Sequence, residues 1–325
     1  MTKILVKKET MPAFTASAPG KIILFGEHAV VYGRPAIAVP VTQVRARAVV
    51  KANPRGRSGE LRIQAAEIDL DAPLDSLSKQ HPLRRTVQET LNALSVSIAP
   101  ACMLRISSTI PIASGLGSGA AVSIAVVRAF SAFLGYPLPD ERVSAIAYEI
   151  EKLYHGTPSG IDNTVITYAR PVFFVRGQPI ERIKIGAPFT IVIGDTGIPS
   201  PTAAAVGDLR QAWQASPRHY ERLFDAVGHL TLAARRAIEA GRTRELGPLM
   251  DENQTLLAEM DVSSPQLEDL MRAARAAGAL GAKLSGGGRG GNMIALAPEA
   301  GSAEKISLAL QDAGAVHTLV TTVGE

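Results

Sequence analysis

The sequence predicts an α+β fold in two parts, with the change near residue 190. Three observations carry this expectation. Strand-like segments crowd residues 14–65, helix formers such as Ala, Leu, Arg and Glu dominate residues 202–277, and strand character returns at 292–297 and 317–323. A chain of 325 residues with 46% hydrophobic content has material for two domains with a sizeable core. No internal repeat or low-complexity linker marks the junction, and the boundary is set at 1–188 and 189–325.

The first strands fall at 14–18, 22–25, 36–41, 43–51 and 60–65, divided by Gly, Pro and Arg-Ser-Gly turn signals. Alternation is clearest where Val44, Ala46 and Ala48 face away from Gln43, Arg45 and Arg47. A helix follows at 82–95, a strand at 103–108, and a glycine-rich stretch that opens an apolar helix through Phe133. The next helix repeats Val143, Ile146, Ala147, Ile150 and Leu153 at 3.6-residue spacing and carries Glu149 and Glu151. Strands at 172–175 and 190–195 precede the helical region, and a helix at 303–313 separates the last two strands.

The 34 basic and 30 acidic residues leave a net charge of +4, too little and too dispersed for a nucleic-acid surface, despite an isoelectric point near 9.2. The single cysteine, Cys102, lies in an apolar run and excludes an intramolecular disulfide, which fits a reducing compartment and a buried thiol. The apolar part of the N-terminus is too short for a secretory signal, and no window reaches 18 uninterrupted apolar residues. A soluble, cytoplasmic protein is expected.

Four stretches carry chemistry. Pro111-Ile112-Ala113-Ser114-Gly115-Leu116-Gly117-Ser118-Gly119-Ala120-Ala121 joins a strand to a helix, so backbone amides and the helix N-terminus can cradle an anion. It is neither a Walker A loop nor a protein-kinase glycine loop, and taken alone it serves equally as a tight turn. Lys283-Leu284-Ser285-Gly286-Gly287-Gly288-Arg289-Gly290-Gly291 concentrates glycine at an entropic cost that favours ligand contact over a plain loop. Gly26-Glu27-His28 places polar groups inside an apolar run that begins near Lys21, which is costly unless they are paired or touch a ligand. In Glu151-Lys152-Leu153-Tyr154-His155-Gly156-Thr157-Pro158-Ser159-Gly160-Ile161-Asp162-Asn163, Glu151 and His155 share a helix face. Pro158 is placed in the first turn of a new helix carrying Asp162. Ordinary capping explains that segment equally well.

The four stretches, in this order, resemble the GHMP kinases, a superfamily of small-molecule kinases, and the His28 and His155–Asn163 segments look most like its mevalonate kinases. The resemblance spans about 14–297. It implies a two-domain fold, with an N-terminal ribosomal-S5-domain-2-like α+β domain, a C-terminal ferredoxin-like domain and the active site in the cleft between them. It also implies ATP and Mg²⁺, a homodimer, and phosphorylation of the C5 hydroxyl of (R)-mevalonate in isoprenoid biosynthesis. By this likeness Asp162 accepts the hydroxyl proton, and Lys21 sits beside it and polarises the same hydroxyl. Glu151 and Ser118 match the positions associated with Mg²⁺. Glu27, His28, Ser159 and Thr202 lie near the substrate or the transferred group. Pro111, Ser114, Gly115, Leu116, Gly117, Ser118, Gly119 and Ala120 hold the nucleotide phosphates, with Gly287 and Gly288 bracing the cleft. Two departures stand out: Gly119 replaces the second serine of many relatives, and Arg289 and Asn292 replace small residues. Sibling kinases acting on phosphomevalonate, homoserine or a sugar share the fold. So do a superfamily decarboxylase and an ATP-binding regulator without turnover.

Overall fold

The computed structural model describes residues 12–111, 114–155, 158–200 and 202–324, and their side chains except those of Tyr154, His155, Thr202 and Ala203. Strands β1 (Ala13–Phe25) and β2 (Ala36–Ala52) form one long antiparallel hairpin, where the sequence reads as four short strands. The difference is physical. Register shifts between Pro19 and Gly20 and between Ile23 and Phe25 absorb the turn-forming residues as irregularities within β1. Pro40 falls on β2 between the segments that pair with β5 (Cys102–Ser108) and β6 (Val172–Phe174), so its missing N–H breaks neither ladder.

Strands β3 (Leu61–Ala65), β4 (Leu70–Pro73) and β7 (Glu181–Arg182) complete this sheet, in the order β4-β3-β5-β2-β6-β7 with β1 paired along β2. Among the described residues only β3 and β5 run parallel. Helix α2 (Ser118–Phe133) packs on β1 and β2, flanked by α1 (Pro82–Ala93), α3 (Asp140–His155) and α4 (Ile161–Tyr168). Its side chains from Ile124 to Val127 are all buried, as suits a helix covered on several sides. In α3, Val143, Ala147 and Ile150 are buried as the periodicity requires, but Leu153 is 40% exposed because the last turn runs past the core.

The second sheet contains β8 (Phe189–Asp195), β9 (Ala282–Ser285), β10 (Asn292–Leu296) and β11 (His317–Val323), ordered β11-β8-β10-β9 and antiparallel throughout. Counted from its own first strand, that order is 4-1-3-2, the ferredoxin-like arrangement. Helices α5 (Thr202–Ala215), α6 (Pro217–Glu239), α7 (Leu246–Glu259) and α8 (Pro265–Ala276) fill the first crossover, and α9 (Ala303–Asp312) the second. One apolar core joins the two sheets: Ile22, Val39 and Val41 belong to the same buried cluster as Ile191, Ile238 and Ile294. Cys102 is buried within it, and burial pushes its thiol up to about 12. Among the described residues no helix is long and apolar enough to cross a membrane.

Candidate active site

Lys21 follows the irregularity in β1 and is only 4% exposed, which is costly for an ammonium group without a partner. Its partner is Asp162, whose Oδ1 lies 3.0 Å from Lys21 Nζ. The Lys21 N–H donates to the Leu116 carbonyl at 3.0 Å, which ties β1 directly to the glycine loop. Gly117 caps α2 with φ 75°, and its bare Cα gives Lys21 room. A Cβ there would stand 2.6 Å from Ile166 Cδ1 and 3.1 Å from Lys21 Cγ. Gly117→Ala is therefore expected to retain the fold at a stability cost of about 1–2 kcal/mol for the left-handed conformation, and separately to lower kcat/KM because the new Cβ crowds Lys21. Steady-state kinetics beside a thermal melt separates the two effects.

Asp162 stands in the first turn of α4, where the helix N-terminus favours a carboxylate. Gly160, at φ 91°, caps this helix, so Pro158 lies before it and not in its first turn. Ser159 Oγ accepts the Ile161 N–H at 3.3 Å. Asn163 Nδ2 donates to Ser144 Oγ at 2.8 Å and locks α4 onto α3. Glu151, on the buried face of α3, completes the cluster. Burial and the like charge of Asp162 push its carboxyl up to about 8, opposed by Lys21. Glu149, two residues earlier, is exposed and pairs with Lys152.

Ser118, Gly119 and Ala120 form the first turn of α2, where backbone N–H groups have no intrahelical acceptor. Gly115 has φ 83°, and Ser114 Oγ donates to the Pro111 carbonyl at 3.0 Å. The structure thus brings Lys21, Asp162, Glu151 and the glycine loop together. Thr202 opens α5, but its side chain and that of His155 lie outside the described residues.

Glu27 and His28 occupy the turn that ends β1. Glu27 is fully buried and ion-paired with Lys283 of β9, which sequence reasoning did not single out. Burial pushes the Glu27 carboxyl up and the Lys283 ammonium down, and each is countered chiefly by the other. His28 has φ 60°, an uncommon conformation for a residue with a side chain. Its Nε2 lies 3.1 Å from the Gly287 carbonyl, which can only accept, so Nε2 carries the proton. Burial lowers this imidazole to about 4 and keeps it neutral near pH 7. Ser285 Oγ donates to the Ile23 carbonyl at 2.8 Å and accepts the Ile23 N–H at 3.1 Å. The second glycine stretch therefore docks on β1 through its flanking residues. Gly288 is glycine for a packing reason, since a Cβ there would overlap the Val262 carbonyl.

Comparison with known proteins identifies the family. The model of the GHMP kinase N-terminal domain matches residues 83–170, and that of the C-terminal domain matches residues 234–316. The mevalonate kinase of Thermococcus sibiricus is 36% identical over 317 residues, covering 92% of this chain and 93% of that protein. That of Pyrococcus horikoshii is 35% identical over 321 residues, covering 93% of each. The crystal structure of L. major mevalonate kinase in complex with R-mevalonate aligns with a TM-score of 0.83 at 32% identity, over 98% of this chain and 97% of that one. With both domain models matched, the sequence likeness sustained across most of its length and the two-sheet fold shared, the chain belongs to the GHMP kinases, in their mevalonate kinase family.

Proposed function

We propose that the chain transfers the γ-phosphoryl group of ATP to the C5 hydroxyl of (R)-mevalonate, giving 5-phosphomevalonate and ADP. The observation that carries this reading is the 3.0 Å contact between Lys21 and Asp162 beside the glycine loop. Asp162 takes the hydroxyl proton as the new O–P bond forms, and Lys21 holds the developing negative charge on that oxygen. The amides that open α2 face the phosphates. Phosphoryl transfer through a loose transition state depends on such positioning more than on a strong base. His28, Ser159 and Thr202 are proposed on the acid's side of the site, whereas Glu27, wholly buried against Lys283, has no surface with which to touch the acid and is given a structural role.

Among the described residues no three His, Cys, Asp or Glu side chains form a ready metal cage. That suits Mg²⁺, which is commonly held by one or two protein groups together with nucleotide phosphates. Glu151 and Ser118 would hold it. A carboxyl pushed up by burial and a like-charged neighbour is one that a cation stabilises in its charged form. Bound Mg²⁺ supplies charge neutralisation at the phosphates.

An ADP-release assay with mevalonate, mevalonate 5-phosphate, homoserine and galactose tests the substrate. Turnover is expected with mevalonate alone. Preference for another acceptor would assign a sibling activity, and no ADP with any of them would revive the regulator.

A further inference from the structure

Asn292 is the first residue of β10, a strand whose other members, Met293, Ile294, Ala295 and Leu296, are all buried and apolar. Its own side chain is also buried, at 2% exposure, and its Oδ1 has no partner among the described residues. Burying an amide oxygen without a donor costs free energy that an apolar residue would not incur. The other end of the amide explains its presence: Nδ2 donates to the Ser114 carbonyl at the start of the glycine loop. The assignment of N and O follows from that contact, because a carbonyl can only accept.

This bond sets the direction of a peptide. In a trans peptide the C=O and the following N–H point in opposite directions. With the Ser114 carbonyl drawn toward β10, the Gly115 N–H turns the other way. The Leu116 carbonyl is likewise drawn to the Lys21 N–H, which turns the Gly117 N–H away from β1. Gly115 and Gly117, at φ 83° and 75°, have the conformational freedom that such alternation needs.

The anchor itself is firmly held. Asn292 pairs with Asp195 on one side and Ser285 on the other. The preceding Gly291 donates its N–H to the Ile198 carbonyl at 2.8 Å, and its carbonyl accepts from Thr196 N and Oγ1, both at 3.0 Å. Ser200 Oγ bonds the Gly288 carbonyl at 2.9 Å.

We infer that Asn292 is a positioning residue that locks the Ser114–Gly115 peptide of the glycine loop from the second sheet, fixing the orientation in which its amide meets the nucleotide phosphates. The inference rests on the proposed phosphate-binding role of that loop. Binding of MgADP is the appropriate readout, because it does not depend on the identity of the acceptor. Isothermal titration is expected to give an MgADP Kd about 5- to 30-fold weaker for Asn292→Ala than for the parent chain, with the thermal midpoint recorded alongside.

Asn292→Asp supplies a readout that a packing defect would not move. An ionised carboxylate opposes the Ser114 carbonyl, whereas a protonated one donates to it. The ratio of variant to parent Kd should therefore fall toward one as the pH is lowered from 8 to 5.5. Equal Kd values for the parent and both variants would overturn the inference, and so would weakening in Asn292→Asp that does not change with pH. Failure of the parent chain to bind MgADP would instead overturn the proposed function of the loop, and the inference with it.

Discussion

Asp162→Asn is expected to lower kcat by roughly 10²–10⁴-fold, the span usual for loss of a positioned general base, with KM for ATP nearly unchanged. Asparagine keeps the size of the side chain, and α4 stays anchored by Asn163 on Ser144. The proton acceptor is lost while the phosphate loop, tied to β1 through Leu116 and Lys21, is undisturbed. Lys21 is not left without a counter-charge, because Glu151 interacts with both members of the pair and is relieved of a like-charged neighbour. The loss should therefore appear in turnover and not in folding. Steady-state kinetics with saturating mevalonate checks it, and near-parental turnover would remove Asp162 from the chemistry.

The second large effect concerns stability. Lys283→Met should destabilise the chain by about 3–5 kcal/mol, because it leaves the Glu27 carboxylate buried without its partner. Both side chains are wholly inaccessible to solvent, and Glu27 Oε2 has no partner among the described residues even with Lys283 present. Adding Glu27→Gln removes the stranded charge, so the double variant should recover much of the loss. Denaturant unfolding of the two single variants and the pair forms a double-mutant cycle. Additive losses would show that the pair contributes little as a pair. The contact spans the two sheets together with His28 to Gly287 and Ser285 to Ile23, so the cycle also measures how firmly the second sheet is fastened to β1.

The conjunction of Lys21 with Asp162 is legible in the sequence only through four motifs read together. Singly, a lysine on a strand and an aspartate after a glycine have ordinary structural explanations. Composition does not divide residues 202–277 into their four helices, but the helical character of the region was equally legible, because composition is a local signal. Lys283 was not. It lies on β9, four residues long and followed by glycines, where no periodic pattern accumulates, and its burial depends on a partner 256 positions away in the chain. Strands β4 and β7 are hidden for the same reason of length. The long hairpin of β1 and β2 reads as four strands because proline and glycine signal locally for breaks, while pairing with neighbours decides whether the break occurs. Pro158 misleads in the opposite sense: it suits a first helical turn, yet the left-handed Gly160 delays the helix to Ile161.

A crystal structure of the chain with (R)-mevalonate and a non-hydrolysable ATP analogue tests most directly whether two distant residues meet at one oxygen. The C5 hydroxyl is expected within about 2.6–3.2 Å of an Asp162 carboxylate oxygen, with Lys21 Nζ in reach of the same atom and the γ-phosphate beyond it. A hydroxyl seated away from both side chains, with the acid bound elsewhere in the cleft, would contradict the proposed chemistry.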